Sequence, residues 1–586
     1  MRPTLLVLLL AGAAVAQDAG EAAIRLNQVG FYPYGPKHAV VVGAGAGWFE
    51  VRPDGGGEAV LRGDLGPART WPASGETVRQ ADFSALTASG RYRLVVEGVG
   101  ASHPFAVRAG VHQPLARAAL KGYYHQRAST PLDARWAGPW ARAAGHPDNQ
   151  VLVHASAATG RRPAGTVIAS PRGWYDAGDY NKYIVTSGIA VGTLFSLLEW
   201  SPAAVAALEA GIPKSGDVVP DVLDEALWNV RWMLTMQDAD GGVYHKLTSA
   251  AFSGEVLPAD DPAVRYVVQK STAATLDFAA ALAQGARVVA AYPEALPGLA
   301  DSLQSAALAA WTWARAHPAV LYDQARLNAA FDPDITTGEY GDGDVSDEFD
   351  WAAMELYLTT RADSFLAASQ PLDPVELGTP WWGGVRELGY HSLLAHRQSV
   401  AAEVDTARVR DALLALADRL VSQGKASPYG VSMTAADYYW GSNSVAANQG
   451  ITLVLAYRLT GEACYLAAAI ASLDYLLGRN ATGYSFVTGL GSTPPRHPHH
   501  RPSRAMEQGE GFTAGPVPGL LAGGPNAARQ DGCASYPSTA PARSYTDDWC
   551  SYASNEIAIN WNAPLVHLAV AVEAAMASAQ RPPFGP

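Results

Sequence analysis

PDVLDEALWNVRWMLTMQ, residues 220–237, sets the fold class. Leu223, Leu227, Val230 and Leu234 recur at three- and four-residue steps, and Asp and Glu occupy the first turn, the pattern of an amphipathic helix with acids at its positive end. The texture repeats downstream in STAATLDFAAALAQGARVVAAY (271–292), DSLQSAALAAWTWARAH (301–317), EFDWAAMELYLTT (348–360), ARVRDALLALADRLVS (407–422), NQGITLVLAYRLTG (448–461) and YLAAAIASLDYLLG (465–478). Helix after helix with little strand signal predicts an all-α domain of paired helices, either a solenoid or a closed toroid. No repeat is readable, which favours the toroid.

Upstream of His112 the pattern is different. HAVVVG (38–43), GWFEVRP (47–53), EAVLRGDL (58–65), RQADFSAL (79–86) and GRYRLVVEG (90–98) are short alternating or β-branched runs separated by Gly, Pro and Asp. They predict a small β-sandwich over residues 22–109, with the helical domain over 112–579. Gly43 to Gly47 is no dinucleotide loop, because Trp48 stands where the third glycine belongs and a strand follows.

The chain has 586 residues, 48% hydrophobic and 17% charged, which excludes wholesale disorder. A net charge of −13 with no basic run excludes a nucleic-acid partner. Abundant Trp, Tyr and Gly against few charges suits a neutral, ring-shaped ligand. MRPTLLVLLLAGAAVA (1–16) reads as a secretory signal with an A-x-A cleavage site, the alternative being an N-terminal anchor. No later stretch reaches the ~20 unbroken apolar residues of a membrane span. A secreted or periplasmic protein follows. Cys533 and Cys550 are expected to pair in that compartment, while Cys464, within a helical pattern, reads as a buried small apolar residue. The common zinc spacings are absent.

Long loops carry the chemistry. In Gly173-Trp174-Tyr175-Asp176-Ala177-Gly178-Asp179-Tyr180-Asn181-Lys182-Tyr183, two carboxylates three residues apart either share a water or cation, one of them becoming a base, or cap the next helix. Arg496-His497-Pro498-His499-His500-Arg501-Pro502 lacks a thiolate partner and favours sugar hydrogen bonding over metal. Tyr545 to Pro564 contains Glu556 among aromatics, either an acid of raised pKa or dipole compensation for the following helix.

Together these clusters resemble glycoside hydrolase family 9, the inverting β-1,4-glucanases that include many endoglucanases. WYDAGDYNKY (174–183) resembles the family's DAGD segment, SFVTGLGSTPPRHPHHRPS (485–503) its histidine signature, and YTDDWCSYASNEIAINWNAP (545–564) its Asp/Glu signature. VPDVLDEALWNVRWMLTMQDADGGVYHKLT (219–248), STAATLDFAAALAQ (271–284), TGEYGDGDVSDEFDWAAMELYLTT (337–360), YYWGSNSVAANQG (438–450) and YLLGRNATGYSFVTG (475–489) match further blocks. IRLNQVGFYP (24–33) resembles the Ig-like module of one branch of the family.

The resemblance implies an all-α (α/α)6 barrel behind an Ig-like sandwich. It assigns Asp179 as general base, Asp176 as its positioning partner, Glu556 as general acid and Asp547 as a supporting carboxylate. His499 and Arg501 would contact the sugar at the cleavage point, and Trp174, Tyr340, Trp440, His245 and Tyr552 would bind substrate. Inversion needs two carboxyl groups about 6.5–9.5 Å apart with a water between base and sugar. No cofactor is required. Asp347 and Glu348 align with a calcium-binding segment of some members, and Asp342 and Asp344 add oxygens; helix N-terminal acids are the alternative reading. Zinc is not expected, because LVHASAATGRRPAG (152–165) has no cysteine and Tyr175 stands where His is frequent. Thr493 departs from the Asn, Lys or Arg usual in the histidine signature. The implied partner is a β-linked glucan or oligosaccharide, and the implied state a monomer. An exo-acting β-glucosidase or exo-β-D-glucosaminidase is the alternative, with residues 136–157 closing one end of the cleft. A carbohydrate-binding protein without chemistry would need neither base nor acid, and all three carboxylates are present.

Overall fold

The computed structural model describes residues 22–43, 45, 47–369 and 377–578. The secretory signal expected at 1–16 lies outside the described residues. Strands up to Val107 form two facing sheets. One orders Ile24–Arg25, His38–Val42, Glu76–Asp82 and Arg69–Trp71; the other orders Gly30–Phe31, Phe105–Val107, Gly90–Val96, Trp48–Pro53 and Leu61–Asp64. Phe31, Val41, Phe49, Val51, Ala81, Leu94, Val96 and Phe105 fill the space between them. The strand expected over 79–86 runs instead from Glu76 to Asp82, where it pairs with His38–Val42, and Phe83 and Leu86 continue the apolar alternation beyond the ladder.

Downstream, an (α/α)6 barrel follows. Ile184–Trp200, Thr272–Val289, Ser346–Thr360, Arg386–Ala395, Ser442–Thr460 and Ile559–Ser578 form the inner layer. Thr272–Val289 packs on Ile184–Trp200 and on Ser346–Thr360, and Ile559–Ser578 packs on Ile184–Trp200 and on Ser442–Thr460. Ile184–Trp200 is buried on nearly every side, as a sequence with apolar residues all round and one charged residue, Glu199, dictates. The outer helices bury one stripe each. In Leu299–Ala316 it is Leu303, Ala307, Ala310, Trp313 and Ala314, and in Ala407–Ala426 it is Val409, Leu413, Leu416, Ala417 and Leu420. Cys464 lies on the outward side of the outer helix Ala463–Leu476, whose buried stripe starts at Tyr465, so it is exposed rather than buried as expected. Cys533 and Cys550 form a disulfide.

A small sheet that the helical periodicity did not announce lies among the loops. It orders Val167–Ile168, Val151–Val153, Arg265–Val267, Lys246–Ser249 and Lys182–Tyr183. Strands of two to four residues are too short to display alternation, yet this sheet fixes the DAGD loop to the segment around His245.

The sandwich is anchored to the barrel. Tyr32, Val40, Trp71, Ala73 and Val78 belong to the barrel's own core, and the Trp71 ring lies 4.8 Å from that of Tyr429. Gln28, buried at the junction, donates to the Gly483 carbonyl at 2.7 Å. Its Oε1 accepts the Ser492 and Thr493 amides at 2.9 and 2.8 Å, so the sandwich holds the start of the histidine loop. Thr493 Oγ1 also lies 3.1 Å from His103 Nε2. Gln28→Ala would leave two amides without their acceptor. It is expected to lower stability by about 1–3 kcal/mol, read as a shift of the urea midpoint of the full chain.

Candidate active site

The DAGD cluster folds as a turn that ends in the strand Lys182–Tyr183 and runs into the inner helix Ile184–Trp200. Neither Asp caps that helix, whose N-cap Tyr183 makes no side-chain cap bond. Asp176 and Asp179 are both buried. Tyr340 Oη donates to Asp176 Oδ2 at 2.8 Å, and Thr186 Oγ1 donates to Oδ1. Asn181 Nδ2 donates to Asp179 Oδ2, and Tyr183 Oη lies 3.4 Å from the same oxygen. Burial, then repulsion from Asp179, pushes the Asp176 carboxyl up to about 7 against its two hydroxyl donors.

Glu556 follows the short helix Tyr552–Asn555 in an extended conformation and precedes the inner helix starting at Ile559, so dipole compensation does not account for it. Its backbone bridges in parallel to that of His499, joining two of the sequence clusters: His499 N donates to the Asn555 carbonyl at 2.9 Å, and Gly523 N donates to the Glu556 carbonyl at 2.8 Å. The third cluster meets them at Gly178. A Cβ there would lie 1.9 Å from the His499 carbonyl oxygen and 3.3 Å from Glu556 Oε1. Arg501 donates twice to the Gly178 carbonyl, from its backbone N at 2.9 Å and from Nη1 at 3.0 Å. Burial above all, then the charges of Asp179 and Asp176, holds the Glu556 carboxyl well above the ordinary carboxylate range; the Arg501 guanidinium and the Gly178 backbone hydrogen bond oppose this.

The remaining residues fall into three groups. His499 stacks on Trp549 at 4.3 Å, gives Nδ1 to the Trp549 carbonyl at 2.7 Å, and is lowered by burial to about 4. Tyr552 and Trp440, exposed and 5.5 Å apart, extend the surface outward from it. From Tyr340 a second aromatic group extends through Trp382, at 5.2 Å, to the exposed Trp381. Asp547 accepts the Arg496 and His497 amides at 2.8 and 2.9 Å and therefore acts by holding the histidine loop.

Two residues expected to touch sugar do not face the site. Trp174 is wholly buried against Tyr123, and its indole N–H donates to Glu225 at 2.8 Å. His245 is wholly buried, stacked on Tyr322, with Nδ1 on Ser271 and Nε2 2.8 Å from the carbonyl of Glu339. It supports the residue preceding Tyr340, whose φ of 49° needs such support. Sequence reasoning missed Asn181, Thr186, Trp549 and the Trp381-Trp382 pair, although Asn181 and Trp549 stand inside the DAGD and Asp/Glu clusters and adjacent tryptophans in a Pro/Gly loop are a readable sign.

The calcium reading rests on a pair of buried acids and not on a carboxylate cage. Asp277 and Glu348 are wholly buried with all four carboxyl oxygens unpartnered, and burial with the charges of Asp347 and Asp342 holds both high. Among the described residues, the one group of three side-chain ligand atoms close enough to share a metal is Cys533, Asp548 and Cys550, whose two sulfurs are committed to the disulfide. A calcium ion at Glu348 would therefore complete its shell with carbonyls and water. Beside the DAGD loop, His146 links Tyr175 Oη, at 2.9 Å, to Asp261, at 3.1 Å.

Buried carboxyl groups on loops over an (α/α)6 barrel, flanked by exposed aromatic faces, define a glycoside hydrolase. The chain belongs to glycosyl hydrolase family 9: that family's model matches residues 112–569, and the cellulase N-terminal ig-like domain matches residues 19–101. It is 45% identical over 561 residues to the xyloglucan-specific endo-beta-1,4-glucanase BoGH9A of Bacteroides ovatus, covering 94% of each chain. To endoglucanase C of Cellulomonas fimi it is 36% identical, over 92% of this chain and 51% of that one. Among solved structures, a Bacteroides ovatus GH9 protein superposes with a TM-score of 0.88 at 43% identity, over 95% of this chain and 99% of that one.

Gly178→Ala would force the DAGD and histidine loops apart. The expected result is a loss of about 1–3 kcal/mol in stability and a drop of at least about 100-fold in kcat, measured by urea unfolding and by reducing-sugar release on soluble glucan.

Proposed function

We propose that the chain is an inverting endo-β-1,4-glucanase in which Asp179 is the general base and Glu556 the general acid. The meeting of both loops at Gly178 carries this reading, because it sets two buried carboxylates beside a carboxyl held high by burial and by their charges. A protonated Glu556 is suited to give its proton to the departing glycosidic oxygen. The charge left behind is met by the Arg501 guanidinium and the Gly178 hydrogen bond. Asp179 takes a proton from the attacking water, and Asp176, fixed by Tyr340 and Thr186, orients that water. With Nδ1–H on the Trp549 carbonyl, neutral His499 presents Nε2 as an acceptor to a sugar hydroxyl. Trp440, Tyr552 and Trp381 offer exposed ring faces for pyranose stacking, running away from His499 and from Tyr340.

Relatives named an endo-beta-1,4-glucanase and an endoglucanase support the substrate class. The xyloglucan-specific relative, similar over nearly the whole chain, favours a branched glucan as the second reading. Calcium would be held through Glu348 with one neighbouring carboxylate, Asp347 or Asp277, and carbonyls and water in the remaining positions; it would neutralise charge and stabilise the fold, with no part in bond cleavage. The leader read at 1–16 and the Cys533–Cys550 disulfide support export to the periplasm or beyond. Among the described residues, no helix is long and apolar enough to cross a membrane.

The early products from cellohexaose, xyloglucan and glucosamine hexamer test the reading. Mixed mid-length cello- or xyloglucan oligosaccharides, released first as α-anomers, are expected; monosaccharide alone from the first minutes would establish an exo enzyme instead. Glu556→Gln should lower kcat by about 100- to 10,000-fold on glucan and much less on an aryl glycoside, whose leaving group needs no proton. Millimolar calcium should raise the thermal midpoint relative to chelator, and Asp277→Asn should shrink that difference.

A further inference from the structure

Asn181 sits between the base and the small sheet, 1% exposed. Its side-chain carbonyl accepts three donors: the Ser249 amide at 3.0 Å, Thr248 Oγ1 at 2.9 Å and Ser249 Oγ at 3.3 Å. A backbone N–H only donates, so the amide cannot flip, and its NH2 must face Asp179 Oδ2. That donor suits a carboxylate and has nothing to offer a protonated oxygen at the same place. With Asn181 and Tyr183 both on Oδ2, no described residue donates to Asp179 Oδ1, which leaves that oxygen to receive the proton.

The contacts continue beyond Asn181. Thr248 Oγ1 lies 2.6 Å from Thr337 Oγ1, which accepts from Lys246 Nζ at 3.2 Å, and Lys246 also donates to the Gly338 carbonyl at 2.6 Å. Two residues on, Tyr340 donates to Asp176. The segment 337–340 therefore registers both carboxylates, Asp176 directly and Asp179 through Thr248 and Asn181.

We propose that Asn181 is a positioning residue of the reaction: its locked amide holds Asp179 Oδ2 and so aims Asp179 Oδ1 at the attacking water. This rests on the reading of Asp179 as the base. Asp176, Glu556, Lys246 and Tyr183 are the ionisable groups whose charges act across Asp179, and none of them replaces the donor that Asn181 supplies. Substituting an acceptor for that donor sets a second carboxylate against the first, so the pair must share a proton.

The experiment compares Asn181→Asp, Asn181→Ala and Asp179→Ala in the full chain. Asn181→Asp should lower kcat about 10- to 100-fold with KM changed less than about twofold, and should move the acid limb of kcat/KM up by about one pH unit. Asn181→Ala, which adds no charge and tests the case in which the Asp variant fails to fold, should lower kcat about 10-fold with a smaller upward move. A lowered thermal midpoint with an unmoved acid limb would reduce Asn181 to a structural residue and overturn the proposal. Asp179→Ala should be inactive and regain turnover with azide, which would attack from the water's side to give the α-glycosyl azide. Retained hydrolysis by Asp179→Ala would instead overturn the base assignment beneath the proposal.

Discussion

Main chain meets main chain at Gly178, where the His499 carbonyl occupies the space that any Cβ would need, and Arg501 fastens the contact by donating twice to the Gly178 carbonyl. The constraint is proximity rather than an unusual backbone conformation. Three segments that sequence places far apart are thereby registered to within the tolerance that proton transfer demands. The sandwich extends the same registration, since Gln28 takes the amides of Ser492 and Thr493, and the Ala73 carbonyl takes the amide of Ala542 just before the Asp/Glu cluster. The module is thus part of the scaffold of the site, consistent with a buttress.

Bringing Asp176, Asp179 and Glu556 into one buried place is electrostatically unfavourable, and the structure distributes that cost unevenly. Hydroxyl groups partly compensate Asp176, an amide serves Asp179, and at Glu556 burial and repulsion act together and outweigh the Arg501 guanidinium and the Gly178 hydrogen bond. Unequal surroundings of this kind are what set the proton affinities of chemically similar groups apart. Asp277 and Glu348 show the other solution, in which carboxyl groups are buried without donors and burial holds them high.

Long, strongly periodic segments made the helical barrel legible, and alternation did the same for most strands of the sandwich. Lys182–Tyr183 and Arg265–Val267 were not legible, because two or three residues display no period and become strands only through their neighbours. At the site, clustering of carboxylates with aromatics marked Asp176, Asp179 and Glu556, while motif resemblance supplied their roles. Composition does not reveal which way a ring faces: Trp174 and His245 stood in the right stretches, but Glu225 and the Glu339 carbonyl draw them inward. Asn181 was in plain view, but its meaning depends on Thr248 and Ser249, which only the sheet brings to it.

The inner helix Ile559–Ser578 packs against Ile184–Trp200, Ser442–Thr460 and the outer helix Gln113–Gln126, and so it closes the barrel between segments made much earlier. A chain is synthesised from its N-terminus, and this stave arrives after all the others. Until then Ile184–Trp200, apolar around its whole circumference, keeps an unfilled flank, and Glu556 is missing from the loop beside it. Residues 545–578 therefore supply two things at once, the stave that seals the inner layer and, on the proposed reading, the proton donor, so a chain grown only to residue 544 holds neither and gains both together.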